Sequence, residues 1–177
     1  MARTTAMSLV SLTVPLLLAS LVSTAAPALA QVKPAAAMSP TSADIDRDVW
    51  TAISASVVSA DIGAMGKTYH PAAVLVSNAG TKPIAQVLEG WGKDMVTAKK
   101  DGIRATVELR FSKRQDDATT AFEVGIFKYT TTDRAGVSKS AYTQFEALLI
   151  KTNGKWQNLM ERQRDPSTGA AFDALPH

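Results

Sequence analysis

Apolar side chains recur every four residues at Ile45, Val49, Ile53 and Val57, with small or polar residues between them. That spacing is one stripe of an amphipathic helix, and Trp50 flanks it. Ser42 is a suitable N-cap, and Asp44, Asp46 and Asp48 put negative charge in the early turns, where the helix dipole favours it. Asp61 is placed to cap a second, short helix, IGAMGKTY, which must end before Pro71 because proline removes a donor and restricts the residue ahead of it. AVLV at 73–76 reads as a short strand and NAG as a turn. A third helix starts near Pro83, since proline is tolerated in a first turn. Ile84, Val87, Leu88, Trp91 and Met95 then fall on one helical face, and Gly102 is a natural terminator.

Beyond Gly102 the period changes from helical to two. IRATVELRF alternates Ile103, Ala105, Val107, Leu109 and Phe111 against Arg104, Thr106, Glu108 and Arg110. TTAFEVGIFKYTT, KSAYTQFEALLIK and GKWQNLMERQRD read as three further strands, joined by turns at DRAG and TNG, with QDD turning into the first of them. Helices followed by an antiparallel meander define an α+β domain. Three N-terminal helices cover one face of a curved sheet of about four long strands and one short one.

The ends of the chain read differently. Residues 1–30 have one cation, Arg3, an apolar stretch from Met7 to Val22, and the small-x-small sequence Ala28-Leu29-Ala30. This is a signal-peptide pattern, and it implies cleavage after Ala30 and a periplasmic or secreted product with no membrane anchor left. Residues 31–41, rich in Ala and Pro, form a flexible leader, 42–165 the domain, and 166–177 a loose tail. The formal charge of +3 is spread along the chain with no cationic run, which argues against a nucleic-acid partner. The chain has no cysteine, so disulfides, thiolate metal sites and cysteine nucleophiles are excluded. A single histidine inside the domain, His70, makes a zinc site unfavourable, and no phosphate loop, dinucleotide fingerprint or serine-nucleophile motif is present. Neither metal nor cofactor is expected.

The order of elements, together with Trp50, ADIGAMGKTYHPAAVLV, a glycine followed by KPI and a helix, SKRQDDATTAFEVGIFKYTT and FEALLIKTNGKWQNLMERQ, resembles the nuclear transport factor 2-like superfamily, in particular its SnoaL-like members. The resemblance covers about residues 43–165. It implies a cone-shaped fold with a cavity between sheet and helices, and a homodimer formed through the outer sheet face. Its members include isomerases, cyclases, epoxide hydrolases, ligand binders and oligomerisation modules, so fold alone does not name a function. Where the steroid isomerases of the superfamily carry an acidic base after the short strand, this chain has Ser77-Asn78. Where many relatives carry an acid just before that strand, it has HPAA.

The last hairpin decides which side chains face such a cavity. A two-residue Asn153-Gly154 turn pairs Thr152 with Lys155 and sets Glu146 opposite Glu161, two carboxylates in repulsion. A three-residue loop pairs Lys151 with Lys155 and is the register preferred here. It sends Phe145, Leu159, Glu161 and Gln163 inward, and Leu148, Ile150, Trp156 and Met160 outward to a partner subunit. On the neighbouring strand Glu123 and Gly125 share the inner face, with glycine leaving room. Glu161 and Glu123 are then acid–base candidates, raised in pKa if buried, or else structural partners of nearby arginines. His70 is either a third proton carrier or a helix-end residue. Trp50, Tyr69, Trp91 and Phe145 wall an apolar ligand, or are plain core. The expected ligand is small and apolar or of mixed polarity. The functions consistent with this are an exported binding domain, an enzyme of the isomerase, cyclase or hydrolase kind, and an interaction module without ligand.

Overall fold

Ser39, not Ser42, caps the first helix in the computed structural model, which describes residues 39–176. The Ser42 N–H donates to the Ser39 hydroxyl at 3.0 Å, and proline follows at the first helical position, where its missing N–H costs nothing. The expected signal peptide and most of the expected leader lie outside the described residues, as does His177. Helix α1 (Pro40–Ile45) runs through one π-helical turn (Asp46–Trp50) into α2 (Thr51–Ser59). A strict spacing of four overruns the α-helical repeat by roughly 40° per step. The π turn absorbs an extra residue and offsets that drift, so Ile45, Val49, Ile53 and Val57 all stay buried and Trp50 joins them. The left-handed Ala60 ends α2, and Asp61 then caps α3 (Ile62–Gly66) through the Ala64 N–H at 2.8 Å.

Six strands follow or intervene: β1 (Tyr69–Ser77), β2 (Gly80–Pro83), β3 (Arg104–Asp116), β4 (Thr120–Thr132), β5 (Ser138–Thr152) and β6 (Lys155–Pro166). Helix α4 (Ile84–Lys100) separates β2 from β3. The sheet order is β2-β1-β6-β5-β4-β3. The expected meander is present as β3 to β6, but β1 joins it parallel to β6, and GTKP adds a short hairpin strand that its exposed, proline-ended sequence does not announce. The core is the layer between α1–α4 and the inner face of the sheet.

Two expectations about the C-terminal part are corrected. The tail is not loose: Thr168 caps a short helix, α5 (Gly169–Asp173), which delivers Phe172 to the outer face of the sheet. There Phe172 is buried against Tyr142, ring centroids 5.7 Å apart, beneath the Arg110 guanidinium at 4.4 Å. The same Arg110 donates to the carbonyls of Phe172, Asp173 and Leu175, which closes the helix end.

The turn between β5 and β6 is the two-residue form, with Asn153 at φ 52° and Gly154 at φ 78°, the positive pair that Asn-Gly favours. Thr152 therefore pairs with Lys155. Glu146 nonetheless escapes Glu161, because Leu149 pairs with Asn158 while Leu148 pairs with Met160. Leu159 is the extra residue of a β-bulge, which resets the alternation. Beyond it Ala147 faces Glu161 and Phe145 faces Gln163. Glu161 and Gln163 point inward as expected, by a different route. Before the bulge Trp156 and Asn158 point inward too. Trp156 is 1% exposed, so it is core and not part of the outer face assigned to it from the sequence.

Candidate functional site

A cavity of about 570 Å³ opens between the helices and the sheet. Helix α2 supplies Ile53 and Val57, and α4 supplies Trp91 and Met95. The inner face of β3 supplies Ala105, Val107 and Leu109, whose short or branched side chains leave the space that larger ones would fill. Trp50, Phe127 and Phe145 close the floor: the ring centroid of Phe145 lies 5.5 Å from that of Trp50 and 6.1 Å from that of Phe127. The wall is mainly hydrocarbon and aromatic. Exposed Val58, Ser59, Asp94, Lys99, Arg104 and Tyr129 mark the mouth.

One carboxyl group reaches this apolar space from the centre of the sheet. Glu161 is buried, and the Tyr69 hydroxyl donates to its Oε2 at 2.7 Å. The Gln163 amide donates to its Oε1 at 2.8 Å, and the Asn158 amide makes a longer contact with Oε2 at 3.5 Å. Burial pushes the Glu161 carboxyl above its ordinary range, against the opposing pull of the Gln163 and Tyr69 donors. The Tyr69 phenol is pushed well up as well, first by burial and then by the adjacent carboxylate. Among the described residues, no lysine or arginine forms an ion pair with Glu161.

Glu123 lies across Ala147 from Glu161 in register, two strands away, or about 10 Å by strand spacing. It serves a different purpose. Its Oε2 accepts the Trp50 indole N–H at 2.5 Å and its Oε1 accepts Arg114 Nε at 2.8 Å. Arg114 in turn binds Asp46 at 2.6 Å. Burial still raises the Glu123 carboxyl, opposed by Arg114 and then Trp50. This network ties the first helix to the sheet edge, and Glu123 itself is absent from the cavity wall.

Of the residues proposed from sequence, Trp50, Tyr69, Trp91, Phe145, Glu161 and Gln163 converge on the cavity. Leu159 does not, because the bulge takes it off the wall. Gly125 does not either: a Cβ there would stand 2.2 Å from the Arg110 carbonyl oxygen and 2.9 Å from the Phe145 ring, so the space above it is already filled. His70 lies on β1 away from the cavity, and its Nδ1 accepts the Ala72 N–H at 3.1 Å. The β3 wall was visible as an alternating face. The signal that it lines a cavity is the small Ala105 beside Val107, where bulkier residues would close the cone.

No protein-family description and no curated protein sequence matches the chain. Solved structures do. Aln2 from a Streptomyces species superposes with a TM-score of 0.60 at 12% identity, over 71% of this chain and 91% of that one. A conserved protein from Planctomyces limnophilus gives 0.57 at 11% identity, over 68% and 94%. A nuclear transport factor 2-like superfamily protein from Salmonella enterica gives 0.56 at 16% identity, over 73% and 95%. At these identities the likeness speaks for architecture: the chain has the nuclear transport factor 2-like fold, a curved sheet closed by N-terminal helices around a pocket.

Proposed function

We propose that the protein binds a small, largely apolar molecule in the cavity, with its polar end against Glu161. The observation that carries this reading is a hydrocarbon-lined space of about 570 Å³ with a single buried carboxyl group on its inner wall. Apolar cavities with few, convergent polar groups are the usual form of small-molecule sites. Native mass spectrometry of protein purified from its source should find a small-molecule adduct. Ala105→Trp, which wedges the β3 wall, should abolish it. Absence of any adduct, or one that survives the wedge, counts against the reading.

A second reading is supported by the Tyr69–Glu161 contact. A carboxyl group held above its ordinary range is suited to general acid–base work, so isomerase, cyclase or hydrolase chemistry would run through Glu161, not Glu123. Turnover that survives Glu161→Gln would exclude it.

Two further parts of the proposal concern context. Export rests on the N-terminal signal pattern, and secreted material should begin at Gln31. A homodimer rests on the outer sheet face, where Phe122, Val124, Leu148, Ile150 and Met160 are all only partly buried beside the patch that α5 covers. Leu148→Glu should shift the mass measured by light scattering to that of a monomer, with the fold retained. A wild type that is already monomeric at micromolar concentration would end the dimer proposal.

A further inference from the structure

The polar end of the cavity offers a ligand more hydrogen-bond acceptors than donors. Tyr69 spends its single donor, and Gln163 one of its two N–H donors, on Glu161. What remains for a ligand is mostly acceptor: the free lone-pair capacity of Glu161, the Gln163 carbonyl oxygen and the lone pairs of the Tyr69 oxygen, against one Gln163 N–H. Resting on the reading that the cavity binds a small apolar molecule, we propose that this ligand is an amine, held as its ammonium against Glu161 with its apolar body toward Trp91 and the β3 wall. A buried carboxylate without a cation is costly, and a ligand ammonium supplies the missing partner in a water-poor site. A ligand carboxylate would meet like charge wherever Glu161 is ionised, with few donors to offset it.

The surrounding charges agree with this assignment. The inner face of β5 beside Glu161 carries Phe145 and Ala147, which have no charge. Glu123, the next carboxyl across the sheet, is already paired with Arg114, which it shares with Asp46. Lys99 and Arg104 stand at the exposed mouth together with Asp94, where water screens all three. Burial favours the neutral Glu161 in the empty site. Amine affinity therefore falls as pH is lowered through the raised Glu161 range, where the carboxyl group takes up a proton.

The test is calorimetry with three probes of one shape: naphthylmethylamine, naphthylmethanol and naphthoic acid. The amine should bind at least about tenfold tighter than the acid, the scale of one charge-assisted hydrogen bond. Glu161→Gln should bring the amine down to the affinity of the alcohol, with folding checked by a thermal melt. Wild-type protein gives an independent readout: as pH rises through the raised Glu161 range amine binding should strengthen, with protons released to buffer within that range, while alcohol binding stays flat. If the alcohol binds but the acid equals the amine, or the variant keeps the amine preference, the amine assignment fails and the cavity reading stands. If none of the three binds, both fail.

Discussion

Glu123 offers the sharpest separation of scaffold from site. Its carboxylate is 1% exposed and holds two donors, Trp50 Nε1 and Arg114 Nε. Glu123→Ala removes both acceptors at once. The Trp50 N–H is left without a partner, at about 1–3 kcal/mol. Arg114 loses one charge-assisted bond, about 1.5–3 kcal/mol, but keeps Asp46 at 2.6 Å. The sum agrees with the roughly 3–5 kcal/mol seen when one member of a buried ion pair is deleted. With a urea slope of about 2 kcal/mol per molar, the unfolding midpoint should fall by about 1.5–2.5 M. Glu123→Gln keeps one acceptor and should lose about half as much. Probe binding in the cavity should change less than about threefold in the folded Gln variant, since a factor of three is only about 0.65 kcal/mol. A midpoint within about 0.5 M of wild type for Glu123→Ala, or loss of binding by Glu123→Gln at full stability, would refute this account.

Three other outcomes are expected. Trp156→Glu should unfold the domain and not merely split subunits, because it buries a charge in a site that is 1% exposed; a folded monomer by circular dichroism and light scattering would contradict the burial. Gly125→Ala should cost about 1–3 kcal/mol through the clash with the Arg110 carbonyl, measured as a lowered melting midpoint, and a neutral result would show that β3 can move aside. For Glu161 the folded carboxyl sits above its ordinary value of 4.5, so the unfolded chain ionises first and the group's effect on stability turns unfavourable as pH rises through that window. Glu161→Gln should therefore gain on wild type across the same pH range, and a parallel pair of stability–pH curves would show that Glu161 titrates as it does in the unfolded chain.

The periodicities carried most of the fold. The stripe at Ile45, Val49, Ile53 and Val57 and the alternation from Ile103 to Phe111 each follow from local spacing alone. What escaped were pairings between distant segments. No local pattern states that β1 runs beside β6, or that Phe172, in a tail rich in small residues, has Tyr142 and Arg110 waiting on the sheet. In the site, Trp91 and Phe145 were legible because helix faces and strand parity are local; Tyr69 was read as the end of a helix but stands on β1, and Gln163 faces inward only because the shorter turn and the bulge cancel. Leu159 and Trp156 were misplaced because parity was carried unbroken along β6, from a turn of the wrong length. Asn-Gly is itself the strongest short hairpin signal, and the repulsion between Glu146 and Glu161 argued against it only for an unbulged strand. The pairing of Glu123 with Arg114 also passes through a second bulge, between Phe111 and Lys113, that alternation does not reveal.

The bulge at Leu159 makes the chemistry of the cavity a matter of reading frame. If β6 ran unbroken from the Asn-Gly turn, every side chain after Asn158 would exchange faces, and the inner positions would pass to Met160, Arg162 and Arg164. The carboxyl and amide at the heart of the cavity would be replaced by a thioether and two guanidinium groups, and the Glu146 pairs with those arginines would be lost. One backbone irregularity thus stands between an acidic pocket and a basic one. Loss of that bulge, with no substitution at any wall residue, would exchange these groups.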